Sequence, residues 1–102
     1  GEMERALESY SRAVGANPAY AQAWYSMGLA YEKMNRTKEA VQAFEKAVAA
    51  APNYLDAYFN MGMALVRAKD RAGAVKAFEK VIEIAPASDK AQSAREYIGL
   101  IK

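Results

Sequence analysis

The chain of 102 residues contains no cysteine and no histidine. Without cysteine, a disulfide scaffold, a thiolate metal site and a thiol nucleophile are excluded. Without histidine, the commonest general base and the commonest metal ligand in proteins are also missing. Carboxylates mostly lie beside lysine, as in Glu45 next to Lys46, which is typical of a solvated helix surface. The glycines are isolated and lack phosphate-loop spacing. We therefore expect no catalytic residues, no metal site and no cofactor.

Strong charge and long apolar runs are lacking as well. The formal net charge is +2, and no run of lysine or arginine is long enough to predict a nucleic-acid partner. No stretch approaches the roughly 18 uninterrupted apolar residues of a membrane helix. Residues 1–5 do not read as a signal peptide, which leaves the compartment open, with the cytoplasm as the default. The apolar content of 53% predicts a packed core.

Proline occurs only three times, and its positions reveal a repeat. Pro18, Pro52 and Pro86 each lie 34 residues after the previous one. At the same interval, the segment WYSMGLAY at 24–31 nearly recurs as YFNMGMAL at 58–65. A fixed period of this size indicates one small unit stacked on copies of itself. The functional question therefore concerns a binding surface more than an active site.

Apolar residues within each repeat recur at the spacing of an α-helix, as Trp24, Met27 and Tyr31 do at i, i+3 and i+7. Short polar links, which suit antiparallel neighbours, separate the paired segments. Thr37 and Asp70 are predicted N-caps, because their side-chain oxygens can accept hydrogen bonds from the free amides of the next turn. We predict six helices, at residues 2–16, 21–34, 37–50, 55–68, 71–84 and 89–101.

Small residues predict how the paired helices close. Gly28 lies on the inner face of its helix, and we expect it to face Ala40, with Gly62 facing Ala74 in the same way. Glycine inside a helix costs about 0.5–1 kcal/mol relative to alanine. Close approach of the two backbones is the expected compensation. Phe44 and Phe78 would then fill the wider end of each pair.

The conserved spacing within one repeat is that of a known pattern. Residues 21–54 carry the pattern W-x2-L-G-x2-Y, then A-x3-F, then P, with only the leucine slot changed. The residues in these slots are Trp24, Met27, Gly28, Tyr31, Ala40, Phe44 and Pro52. This pattern resembles the tetratricopeptide repeat (TPR) family, and residues 55–88 match it with apolar residues exchanged for apolar ones. The resemblance implies an all-α, right-handed solenoid segment.

The resemblance also divides the chain, which we interpret as one domain over residues 1–102. Residues 1–20 match the second half of a repeat, and 21–54 and 55–88 are full repeats. Residues 89–102 start a further unit whose inner slots are too polar for an interior helix, so they predict a C-terminal capping helix with a polar outer face. The polar residues in those slots are Gln92, Arg95, Glu96 and Gly99.

In TPR proteins the first helix of each repeat lines a concave groove that binds peptides. The resemblance assigns nine residues of this chain to such a groove: Tyr25, Leu29, Lys33, Phe59, Asn60, Met63, Arg67, Lys90 and Tyr97. The five apolar ones would form a continuous strip, Asn60 would grip a ligand backbone, and Lys33, Arg67 and Lys90 would form a weakly basic rim. The alternative is that some apolar members pack between helices as core.

The partner implied by this groove is an apolar or amphipathic segment of another protein. Lys90 matches a basic slot of the carboxylate clamp found in chaperone-binding TPR domains. Tyr25 and Leu29 occupy slots where that clamp has lysine and asparagine, and Ala94 occupies a further basic slot. The resemblance therefore does not predict recognition of acidic C-terminal tails, and we expect a non-catalytic protein-interaction scaffold.

The N-terminal helix suggests a second function. Met3, Ala6, Leu7 and Tyr10 would lack the helix that such residues pack against in a complete repeat, and an uncapped repeat exposes apolar surface. We expect either that the chain is a piece of a longer TPR protein or that it self-associates through this face; a solvated, frayed helix is the remaining alternative. A self-assembly module, forming a homo-oligomer, is thus the alternative function.

Overall fold

A computed structural model describes all 102 residues as six α-helices joined by short turns. The helices are α1 (Glu2–Ala16), α2 (Ala21–Lys33), α3 (Thr37–Ala50), α4 (Leu55–Arg67), α5 (Arg71–Ile84) and α6 (Asp89–Ile101). The prediction of an all-α chain with six helices is confirmed. Only α2 and α4 differ from the predicted bounds, and each ends one residue earlier.

The helices form two compact units, residues 1–54 and residues 55–102. In the first unit, α2 packs against both α1 and α3. In the second unit, α5 packs against both α4 and α6. Each unit is thus a group of three short helices, and helices of this length depend on such packing because they are marginal alone.

Alanine dominates the core of both units. The first unit contains a buried cluster of Val14, Ala23, Met27 and Ala43. The second contains a buried cluster of Ala74, Phe78, Val81 and Ala94. Phe44 and Phe78 are among the few large side chains that are completely buried. Burial of one such ring is worth about 1.5–3 kcal/mol, so each phenylalanine is a principal source of stability in its unit.

The two inner glycines make room for these phenylalanine rings. A Cβ atom placed on Gly62 would lie 2.7 Å from Cε1 of Phe78, and one placed on Gly28 would lie closer still to Phe44. The nearest neighbours of both glycines are therefore the rings, and the facing of Gly28 to Ala40 and of Gly62 to Ala74 stays a prediction. Close approach is needed as predicted, but between a backbone and a ring.

Helices α2 and α4 end in the same way. Asn35 and Lys69 have φ angles of 60° and 64°, in the left-handed region. The amide of the following residue then bonds back to the helix, from Arg36 to Tyr31 O at 2.8 Å and from Asp70 to Leu65 O at 2.9 Å. This is the Schellman arrangement. Asparagine tolerates the left-handed region better than lysine does, so the second turn is the more strained of the two.

The single tryptophan lies in the first unit. Trp24 is half-buried against the Val14 and Met27 cluster. Its indole Nε1–H donates to the carbonyl oxygen of Pro18 at 2.8 Å, and the ammonium of Lys46 lies 5.5 Å from its ring centroid. The residue therefore ties α2 to the preceding turn and to α3.

Side-chain N-caps distinguish the helix starts. The Asp70 carboxylate accepts from the Gly73 amide at 2.9 Å, as predicted, and Ser88 Oγ accepts from Ala91 at 3.0 Å. The prediction for Thr37 is wrong, because α3 already begins there and the cap position belongs to Arg36, which makes no side-chain cap bond. Residue 36 is the equivalent of residue 70 in the repeat, so the cap oxygen is simply missing from the first copy.

Asp70→Ala is expected to lower the free energy of unfolding by about 1 kcal/mol, since it removes the acceptor for an otherwise free amide. Thr37→Ala is the matched control and should leave stability unchanged or slightly raised, because alanine is the better helix former. Urea unfolding followed by circular dichroism measures both values. An equal loss for the two variants would contradict this account of the caps.

Candidate functional site

In the first unit, the predicted site residues follow one face of α2. Tyr25 and Leu29 are half-buried, and Lys33 is exposed. The Tyr25 ring lies 5.8 Å from Phe44 and 5.1 Å from Tyr54 between centroids. Tyr25 thus rests on the core with one side and faces outward with the other.

Two open cavities lie between α1 and α2. One, of about 410 Å³, is bordered by four tyrosines and four smaller side chains: Tyr10, Tyr20, Tyr25, Tyr54, Ala13, Gln22, Ala23 and Ser26. The other, of about 160 Å³, brings Leu29 and Lys33 together with Met3 and Ala6. Residues that the sequence assigned to two different surfaces therefore border the same cavity.

The N-terminal apolar residues are partly covered by the next helix. Met3, Ala6, Leu7 and Tyr10 are each half-buried. Leu7 and Tyr10 pack against the buried cluster of the first unit. This happens because α2 covers the side of α1 on which these residues lie. These residues keep part of their surface exposed, and self-association through them stays a prediction.

In the second unit, three predicted residues converge on Phe78. The Phe59 and Tyr97 centroids lie 5.8 Å and 5.4 Å from the Phe78 centroid, and Tyr97 is nearly parallel to that ring. Met63 packs against the same cluster. All three are half-buried, so each contributes to the core and also keeps part of its surface exposed.

Two polar site residues already have partners within the second unit. The Lys90 ammonium lies 3.6 Å from a carboxylate oxygen of Asp56 and 5.2 Å from the Phe59 ring centroid. Asn60 Nδ2 donates to the Asp56 carbonyl oxygen at 2.9 Å. Arg67 is exposed at the end of α4. Asn60 and Lys90 therefore support α4 as well as bordering its outer face.

The second unit also has an exposed apolar site that shares only Tyr97 with the nine assigned groove residues. Val66 and Leu100 are 41% and 82% exposed. They border an open cavity of about 770 Å³ together with Lys69, Arg71, Tyr97 and Ile101. The available signal was helical spacing, since Val66 follows Met63 by three residues and Leu100 follows Tyr97 by three. The two cations had no such signal, because Lys69 lies in the turn between α4 and α5 and Arg71 is the first residue of α5.

No group of three or more aspartate, glutamate, cysteine or histidine side chains lies close enough together to hold a metal ion. None of the six helices combines the length and the apolar character needed to cross a membrane. What the site residues offer is aromatic and aliphatic contact area with positive charge beside it.

Comparison with known families identifies the repeat. Family models described as tetratricopeptide repeat match residues 21–54 and 55–88, and one described as TPR repeat matches residues 1–35. The chain belongs to the tetratricopeptide repeat family. The TPR pattern predicted from the sequence is therefore confirmed.

Curated relatives share short segments with this TPR chain. Over 39 residues it is 51% identical to the photosystem I assembly protein Ycf3 of Synechococcus sp. (strain CC9311), covering 38% of this chain and 22% of that protein. Over 40 residues it is 40% identical to an uncharacterized protein of Methanocaldococcus jannaschii, covering 39% of this chain and 46% of that protein. The matches thus span less than half of either relative.

Solved TPR structures match almost the whole chain. A crystal structure of MamA protein has a TM-score of 0.86 and 30% identity, and the match covers 99% of this chain and 54% of that one. The second TPR domain of human RPAP3, in complex with an HSP70 peptide, has a TM-score of 0.87 and 27% identity, with 97% and 82% covered. The predicted TPR fold is confirmed.

Proposed function

We propose that this chain is a non-catalytic scaffold that binds an apolar or amphipathic segment of a partner protein. The residues that would contact such a segment lie on α2 in the first unit and on α4 and α6 in the second. The observation that supports this most is the set of half-exposed apolar side chains on these helices: Tyr25, Leu29, Phe59, Met63 and Tyr97. TPR domains are in general interaction modules without catalytic activity.

The half-buried state of these residues favours binding. Phe59 and Tyr97 are held in place by their contacts with Phe78. A partner that covers their exposed sides makes apolar contact with side chains that are already ordered before binding. Such preorganisation lowers the entropic cost of association. Met63 adds a flexible side chain that adapts to the shape of the partner. Aromatic anchors of this kind are typical of interface hot spots.

The polar residues have a smaller part in this proposal. Lys90 is already paired with Asp56, and Asn60 already donates to the helix backbone. To bind a ligand, each residue would have to exchange or share these contacts. The lost contact would offset much of the binding free energy that the new one supplies. Lys33 and Arg67 remain exposed and supply the weakly basic rim. We therefore assign most of the binding free energy to the apolar residues.

A solved relative supports the general mode of binding. The second TPR domain of human RPAP3 holds an HSP70 peptide, and it is 27% identical to this chain. In our chain, Tyr25, Leu29 and Ala94 stand in three slots where the carboxylate clamp has polar or basic side chains. The proposal is thus an apolar variation of peptide binding, not recognition of a terminal carboxylate.

Selection of random peptides displayed on phage tests the proposal. The selected peptides are expected to be rich in aliphatic and aromatic residues. Their binding should weaken at least about tenfold in Leu29→Lys and in Met63→Lys, since each change replaces apolar contact by a charge. Fluorescence anisotropy with a labelled selected peptide measures the affinities. Phe59 is avoided in this test because Phe59→Lys would also disturb the ring contacts with Phe78.

The matched control is Gln42→Lys, which adds the same charge at an exposed position of α3. It should bind the peptide like the unmodified chain, and all variants should keep the helical circular dichroism spectrum. If no peptide is enriched, or if Gln42→Lys weakens binding as much as the other two variants do, the faces of α2 and α4 are not the binding surface.

A further inference from the structure

The cavity beside Leu100 has an apolar side that core packing does not explain. Leu100 is the most exposed large apolar side chain of the protein, and Val66 is also exposed. Tyr97 and Ile101 form a firmer part of the lining, because both pack against the buried cluster around Phe78. The lining therefore includes two apolar side chains that are held by the core, Tyr97 and Ile101, and one that is exposed to solvent, Leu100.

Two basic side chains also line the cavity. Lys69 and Arg71 both line it, and neither forms an ion pair within the protein. The carboxylate between them in sequence, that of Asp70, is engaged with the Gly73 amide at the start of α5. Two cations thus stand next to an apolar cavity of about 770 Å³ with no acidic side chain bonded to them.

Lys69 occupies a position that favours other residues. Its φ of 64° lies in the left-handed region, and the equivalent residue of the first repeat is Asn35, with φ of 60°. Asparagine meets this requirement with less strain. Strained residues that persist at a concave surface are a reason to look for a function there. The charge of Lys69 supplies one, because asparagine would complete the same turn without it.

We propose that this cavity binds an acidic, amphipathic segment of a partner protein. One apolar side chain of the segment enters between Leu100 and Val66, and neighbouring carboxylates pair with Lys69 and Arg71. The inference rests on the proposed scaffold function and names the chemistry of the partner segment. Charge complementarity favours an acidic segment, because the residues that line the cavity include two cations and no carboxylate.

Fluorescence anisotropy with a synthetic probe tests this inference. The probe is a short labelled peptide with an amidated C-terminus, in which leucines are flanked by glutamates. A second peptide carries glutamine in place of each glutamate. The glutamate peptide is expected to bind at least about tenfold more tightly than the glutamine peptide, and its binding should weaken as salt is raised, because exposed charges are screened.

Variants of the cavity locate the binding site. Leu100→Ser should weaken binding of the glutamate peptide about tenfold, through loss of apolar contact. Lys69→Asn and Arg71→Gln should each weaken it about two- to fivefold, as expected for one exposed charge pair. Lys76→Gln is the control, since it removes the same charge from an exposed position of α5 outside the cavity. Lys69→Asn should melt no lower than the unmodified chain, which separates charge from folding.

Several outcomes would overturn the inference. Equal affinity for the two peptides would show that the carboxylates do not contribute to binding. An equal loss of affinity in Lys76→Gln and in Lys69→Asn would show that the peptide does not bind at this cavity. Absence of binding refutes both parts. A dimer that forms with rising concentration and disappears in Leu100→Ser would show that a second copy fills the cavity instead. Binding that depends on Leu29 and Met63 but not on Leu100, Lys69 or Arg71 would leave the scaffold proposal intact and reject this one.

Discussion

Phe78→Ala is expected to lower the free energy of unfolding by about 3–5 kcal/mol. The ring is completely buried, and the rings of Phe59 and Tyr97 lie against it. Removing it leaves a hole that these neighbours cannot close, since α5 packs against helices on both sides. The loss is large compared with the 5–15 kcal/mol that typically separates native from unfolded domains.

Urea unfolding followed by far-UV circular dichroism measures the change. Tyr97→Phe is a suitable control, because it keeps the stacked ring and removes only the hydroxyl group. It should cost much less than Phe78→Ala. A loss of under about 1 kcal/mol for Phe78→Ala would mean that the second unit repacks around the missing ring, and the convergence of three site residues on Phe78 would then carry little weight.

Gly28→Ala and Gly15→Ala are expected to change stability in opposite directions. A Cβ atom on Gly28 would collide with the ring of Phe44, which is completely buried and has no room to move. Overpacking of this kind costs about 1–3 kcal/mol. A Cβ atom on Gly15 meets nothing within 4 Å. There alanine should add about 0.5–1 kcal/mol, the usual helical advantage over glycine.

The two variants can be compared directly, because the chemical change from glycine to alanine is identical at both positions. Thermal melting gives the sign directly, with the midpoint falling for Gly28→Ala and rising for Gly15→Ala. Combining Gly28→Ala with Phe44→Leu should cost less than the two single changes together, since a smaller side chain relieves the collision. Additive losses would show that the glycine and the ring do not interact.

The helices could be predicted from the sequence because the same pattern of apolar residues recurs in each repeat. Helical spacing around Trp24 and Tyr58, together with the three prolines, located all six helices to within one residue. The N-cap prediction is wrong at the one start where the two copies of the repeat differ. Arg36 stands where Asp70 caps α5, and the nearest hydroxyl, that of Thr37, was mistaken for the missing cap.

The site was harder to predict, because spacing along a helix says which face a residue shares but not what it touches. Phe59 on α4 and Tyr97 on α6 both contact Phe78, which belongs to a third helix, α5. The engagement of Asn60 with a backbone carbonyl was likewise invisible in sequence. Lys69 lies in a turn and Arg71 is the first residue of α5, where helical periodicity gives little information.

The placement of Trp24 gives the protein a built-in optical reporter. All the contacts described for its indole, with Pro18, with Lys46 and with the Met27 cluster, belong to the first unit. The equivalent residue of the second repeat is Tyr58, which emits at shorter wavelength. Tryptophan fluorescence therefore follows one half of the chain, while circular dichroism follows all six helices. The separation between the two transitions is a direct measure of how strongly the halves cooperate in unfolding.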